Sequence, residues 1–154
     1  MNNNDVLRRV RYTFDFSDSK IIELFALVEQ EVDREQVLDW LKKDDDPSMV
    51  ALRDKDFAAF LNGLIIHRRG KKEGPQPVAE KRLNNNIILR KLKIALDLKA
   101  EDVLEIMELA GVTLSKHELS AFFRKSGHKH YRDCKDQFLR NFLSGMQLMY
   151  RDSD

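Results

Sequence analysis

The chain has 154 residues, room for one domain or two small ones. Hydrophobic residues make up 42% and charged residues 34%, which supports a packed core and excludes a wholly disordered chain. The formal net charge is +1, so any attraction to nucleic acid or membrane has to come from a local patch. Cys134 is the single cysteine, which excludes an internal disulfide and fits a reducing compartment. Met1 to Asp5 lacks the apolar stretch of a signal peptide, and no apolar run approaches the roughly 18 residues needed to span a bilayer. The expectation is a soluble, cytoplasmic protein with no membrane contact.

The first periodic stretch is Asn2 to Phe14. Val6, Leu7, Val10 and Phe14 share one helical face, and Asn3 or Asn4 is the expected N-cap. The stretch Asn84 to Leu96 repeats it at an offset of 82 residues, with Ile88, Leu89, Leu92, Ala95 and Leu96 as the stripe and Asn85 or Asn86 as the cap. The same offset holds to the last long apolar segment, so the chain reads as a duplication.

The second segment, about 19 to 30, carries Ile21, Ile22, Leu24, Phe25 and Val28, with Ser17 or Asp18 at its start. Its partner carries Val103, Leu104, Ile106, Met107 and Ala110 and stops at Gly111, since glycine accepts a left-handed helix end. The third segment opens on Asp33-Arg34-Glu35-Gln36 and Ser115-Lys116-His117-Glu118, both with capping-box spacing. Val37, Trp40 and Leu41 then face inward, as do Leu119, Phe122 and Phe123. The fourth starts at Asp54 or Asp136, expected as caps, and carries matched glycines, Gly63 and Gly145. A helix-interior glycine costs up to about 1 kcal/mol, so its presence in both copies points to close helix packing.

Between the copies, Arg68 to Arg82 holds two glycines, two prolines and many charges, and reads as a linker. The expected fold is all-α, about eight helices in two tandem four-helix repeats. The expected divisions are a first repeat over 1–67, a linker over 68–83, a second repeat over 84–150 and a tail over 151–154.

Polar residues that match between copies carry more information than apolar ones. Arg8, Arg9 and Arg11 match Arg90, Lys91 and Lys93, and give each copy a basic stripe beside its apolar one. Asp15 and Asp97 match too, although an acid near a helix C-terminus opposes the macrodipole, so each is expected to have a partner elsewhere. The loops before the fourth segment diverge. One copy has Asp44, Asp45 and Asp46; the other has Arg124, Lys125, His128, Lys129, His130, Tyr131 and Arg132.

Clustered Lys and Arg with an aromatic residue suit a phosphate backbone, with Tyr131 placed to stack on a base. The expected polyanion-binding residues are Arg8, Arg9, Arg11, Arg90, Lys91, Lys93, His128, Lys129, His130, Tyr131 and Arg132, against the plainer reading of solvated faces. The expected partner is nucleic acid or an acidic protein. Oppositely charged loops, Asp44–Asp46 and His128–Arg132, also allow head-to-tail self-association. The competing reading is a protein-interaction adaptor with a groove between the repeats.

Signals for catalysis are poor. There is no P-loop, no Gly-x-Gly-x-x-Gly, no nucleophile elbow and no His-Glu-x-x-His. His117, His128, His130 and Cys134 are metal-capable, but their spacing is not that of a structural zinc site. Cys134 with His130 as base is the one nucleophile pair on offer, and the weakest of the readings. No cofactor, metal or catalytic residue is expected, and the leaning is toward a non-enzymatic binding module.

Three stretches carry a family resemblance: Asn86 to Leu96, Ser115 to Arg124 and Tyr131 to Leu143. With Leu7-Arg8-Arg9-Val10-Arg11-Tyr12, Trp40-Leu41-Lys42-Lys43 and Phe60-Leu61-Asn62-Gly63-Leu64, they resemble the YehS family of small bacterial proteins. The resemblance covers nearly the whole chain outside the linker and tail. It implies two copies of a domain of unknown function in the bacterial cytoplasm, with no assigned activity or catalytic residues to carry over.

Overall fold

A computed structural model describes residues 1–152, so the last two residues of the expected tail lie outside the described residues. Among the described residues there are eight α-helices and no strand. The chain forms two compact units, Met1–Leu83 and Asn84–Asp154. Unit 1 holds α1 (Asn3–Phe14), α2 (Asp18–Ala26), α3 (Arg34–Leu41) and α4 (Asp54–Arg69). Unit 2 holds α5 (Asn85–Ala95), α6 (Ala100–Leu109), α7 (Lys116–Ser120), a short 3-10 turn over Ala121–Phe123, and α8 (Asp136–Tyr150).

Each unit encloses its own core. Leu7, Val10, Ile21, Leu24, Phe25, Val37, Phe57 and Phe60 are buried in unit 1; Leu89, Leu92, Val103, Ile106, Leu119, Leu139 and Phe142 in unit 2. The glycines set how close two helices come. A Cβ on Gly63 would lie 2.0 Å from the Leu24 carbonyl oxygen, and one on Gly145 would lie 2.0 Å from that of Ile106. Leu24 and Ile106 are themselves 82 apart, so α2 on α4 and α6 on α8 use the same backbone-to-backbone contact.

The three asparagines that open α1 and α5 divide three tasks. Asn2 and Asn84 are the N-caps, accepting from the amides of Asp5 and Ile87. This corrects the expected caps by one position or two, because the next two asparagines are committed to the loop that enters the last helix. Asn3 Nδ2 donates to the Leu52 carbonyl at 3.0 Å and to Asp54 at 2.7 Å. Asn85 Nδ2 does the same to the Cys134 carbonyl at 3.0 Å and Asp136 at 2.7 Å. Asn4 and Asn86 are buried and clamp the loop from inside. Asn4 Nδ2 donates to Trp40 and Val50 carbonyls while its Oδ1 accepts from the Leu52 amide. Asn86 repeats this with Phe122, Arg132 and Cys134.

Asp54 and Asp136 therefore are not caps. They lie inside the first turn of α4 and α8, where the N-caps are Arg53 and Lys135 without a side-chain bond. The first-turn acids still complement the helix dipole. Asp15 and Asp97 also turn out to have a local reason. Both have left-handed backbone, φ 55 and 54, at the ends of α1 and α5. Short acids tolerate this region better than most side chains. The reversal is completed by Phe16 N–H to the Arg11 carbonyl and Leu98 N–H to the Lys93 carbonyl, each at 3.0 Å. The second helices end in the same manner, with Glu29 at φ 60 in unit 1 and Gly111 at φ 83 in unit 2.

Candidate nucleic-acid interface

The loop before the last helix has one backbone design in both units. In unit 1, Asp46 N–H donates to the Lys43 carbonyl and Met49 N–H to the Asp46 carbonyl. In unit 2, His128 N–H donates to Lys125 and Tyr131 N–H to His128. One side chain secures each turn: the Asp46 carboxylate accepts from Ser48 N–H at 2.8 Å, and His128 Nδ1 accepts from His130 N–H at 3.0 Å. The far end is pinned by Val50 N–H to the Asp39 carbonyl, matched by Arg132 N–H to Ala121, both at 3.1 Å. A fixed backbone thus presents an acidic loop in one unit and a basic one in the other.

The neighbouring helix follows the same split. In unit 1, Arg8 is paired with Asp5, lies 3.9 Å from Asp44, and donates to the Lys42 carbonyl at 2.6 Å. It is a strut between α1 and the acidic loop rather than an offered cation. Arg9 is half-buried and Arg11 is exposed. Asp44 also accepts from Asn2 Nδ2 at 3.1 Å, so the acidic loop is largely satisfied within its own unit.

Unit 2 lacks the two acids that hold Arg8 in unit 1. Ile87 and Ser126 stand where unit 1 has Asp5 and Asp44, and no acid occurs from Asn84 to Leu96 or from Arg124 to Arg132. Arg90 is exposed on α5 and its charge acts on Tyr131. Lys93 Nζ lies 5.3 Å from the centre of the Phe123 ring, next to Arg124. The exposed Lys125, His128, Lys129, His130 and Arg132 complete the face, with the two imidazole rings 5.5 Å apart. The helix and the loop therefore carry their cations on adjoining surface. Lys91 does not join them, because it is 8% exposed.

Tyr131 is half-buried. Burial first, and then its hydrogen bond with Asp133, raise its phenol above the usual tyrosine range. Glu118 sits near enough to Arg132 to feel its charge, and its carboxylate is held below the usual range mainly by its bonds to the Ser115 backbone and side chain.

Cys134 is 5% exposed and its thiol is pushed up to about 12, by burial first and by Asp136 second. A thiol so buried stays protonated at neutral pH and is a poor nucleophile. Its amide, not its sulfur, is the working group, as the donor to Asn86. Among the described residues no three His, Cys, Asp or Glu side chains come together as a metal cage. No helix among them is long and apolar enough to cross a membrane.

One feature escaped the sequence reading. A cleft of about 230 Å³ lies against the basic loop, with Val112, Leu114, Phe122, Phe138, Arg132 and Lys135 among its walls. Its signal was available in the repeat, because Phe138 stands where unit 1 has Asp56.

Comparison with known proteins agrees with the repeat. The profile of a family described as "Protein of unknown function (DUF1456)" matches residues 3–70 and again 85–152. The uncharacterized protein YehS of Escherichia coli (strain K12), a bacterial relative, is 42% identical over 147 residues, covering 95% of this chain and 94% of that protein. No solved structure matches. The chain belongs to the DUF1456 family, of which it carries two tandem copies.

Proposed function

We propose that the chain is a non-enzymatic binding module whose second unit holds the sugar-phosphate backbone of a nucleic acid in the cytoplasm. One observation carries this reading. The same loop backbone recurs in both units, yet in unit 2 it and the adjoining helix have shed their acids and gathered exposed cations. Phosphate contacts need clustered Lys and Arg on a fixed surface and do not need a base-reading motif. The loop is fixed by Asn86 at one end and by the His128 turn in its middle. Arg90, Arg124, Lys125, Lys129 and Arg132 are the main charges, and His128 and His130 are the polar groups between them.

The test is a salt titration of binding to mixed RNA and single-stranded DNA. If these five cations each meet a phosphate, log K falls with log salt at a slope of about −3.5. Lys125→Asp with Lys129→Asp, which reverses the charge at two positions of the loop, lowers both affinity and slope. Affinity weaker than about 0.1 mM at low salt excludes the reading, since ordinary non-specific binders do better.

A further inference from the structure

We infer that the cleft beside Arg132 receives one unstacked base, so that the preferred partner is a single strand. The inference rests on the backbone-binding reading above and names the kind of nucleic acid that the same face takes.

The cleft is aromatic on one side. The Phe122 and Phe138 rings are 4.3 Å apart at 36°, and the Arg132 guanidinium lies 5.6 Å from the centre of the Phe122 ring. Phe122 is buried, whereas Phe138 is half-exposed, so Phe138 is the ring with a face to offer. It stands in the first turn of α8, whose start is held by Asn85 through Asp136. At about 230 Å³ the space is below the roughly 300–1,000 Å³ of small-molecule pockets, which suits one planar ring and not a whole cofactor. Arg132 belongs to both features, since it ends the basic loop and walls the cleft. A strand whose phosphates lie on the loop therefore has a base within reach of Phe138. Bases inside a duplex present edges and not faces, so they do not supply this contact.

Unit 1 lacks the arrangement. Gln30 and Asp56 stand at the positions of Val112 and Phe138, and Gln30 Nε2 donates to Asp56 at 2.9 Å. Val32, at the position of Leu114, is buried. The hydrogen-bonded corner of unit 1 has become an aromatic one in unit 2, the same unit in which the loop turned basic. The two changes serve one ligand: cations for the backbone and a ring for a base.

The test uses the full chain and three labelled probes of about twelve nucleotides: an oligothymidylate strand, an abasic strand of equal charge, and a duplex, all at one low salt concentration. The base-bearing strand is expected to bind about tenfold more tightly than the abasic one and more tightly than the duplex. Phe138→Leu, which keeps apolar packing on Phe122 but removes the ring face, reduces that preference severalfold and leaves the salt slope unchanged. Equal affinity for base-bearing and abasic strands overturns the base cleft while leaving the backbone reading intact. A preference for the duplex overturns it as well. Failure of all three probes to bind overturns both readings together.

Discussion

Replacing Asn86 by alanine removes the clamp that holds the basic loop. Asn86 is 4% exposed and joins three backbone groups: the Phe122 carbonyl at 3.0 Å, the Arg132 carbonyl at 2.9 Å and the Cys134 amide at 2.9 Å. Each lost bond removes about 1 kcal/mol net, and a buried amide left without a partner costs about 1–3 kcal/mol more. The expected loss is therefore about 4–6 kcal/mol. A unit of this size has only about 4–10 kcal/mol in total. At an m-value near 1.3 kcal/mol/M, the urea midpoint of unit 2 falls by about 3–5 M.

The assay is urea unfolding followed by far-ultraviolet circular dichroism. Asn86→Asp is the informative companion: it keeps the volume and the acceptor for Cys134 N–H but sets a carboxylate against two carbonyl oxygens. It should destabilise at least as much as alanine. Asn4→Ala is the matched change in unit 1, where buried Trp40, the chain's single tryptophan, gives a fluorescence reading of that unit. A loss below about 0.5 kcal/mol for Asn86→Ala, or a mild Asn86→Asp, would refute the clamp.

Three further changes have definite signs. Gly145→Ala would gain about 1 kcal/mol on an exposed helix, but here the added Cβ meets the Ile106 carbonyl, so a loss of about 2 kcal/mol or more is expected in the same urea assay. Glu29→Gly relieves a left-handed residue and restores the residue type of Gly111, so it should stabilise unit 1 by about 0.5–1 kcal/mol by Trp40 fluorescence. The Cys134 thiol, raised to about 12 in the folded chain, keeps its proton where the unfolded chain gives it up. Its contribution is thus present below about pH 9 and lost as pH rises toward 12; Cys134→Ala should flatten that alkaline decline, and the native thiol should resist labelling at pH 8.

The repeat made much of this fold legible. Residues spaced by 82 exposed the paired glycines, and their shared position inside a helix pointed to the close approach now seen at Leu24 and Ile106. The capping boxes at Asp33 and Ser115 depend on local spacing alone and form as expected. What was not legible depends on long-range partners. Three consecutive asparagines give no sign of which is cap and which is clamp until the loop some 36 to 51 positions later is in place. Asp15 and Asp97 looked opposed to the helix dipole because the left-handed turn that favours them is a property of the backbone.

Treating Arg8 and Arg90 as equivalent overlooked Asp5 and Asp44, whose absence from unit 2 separates a strut from an exposed cation. The cleft was missed because an Asp-to-Phe difference at one matched position reads as drift until Phe122 and Arg132 are seen beside it.

The most direct test of the central claim is the slope of log affinity against log salt for a single strand, in the unaltered chain and in Lys125→Asp with Lys129→Asp. A slope near −3.5 that becomes shallower by about 1.4 in the variant is the predicted result. A slope near zero, or one that the two substitutions leave unchanged, would contradict a phosphate-binding role for this loop.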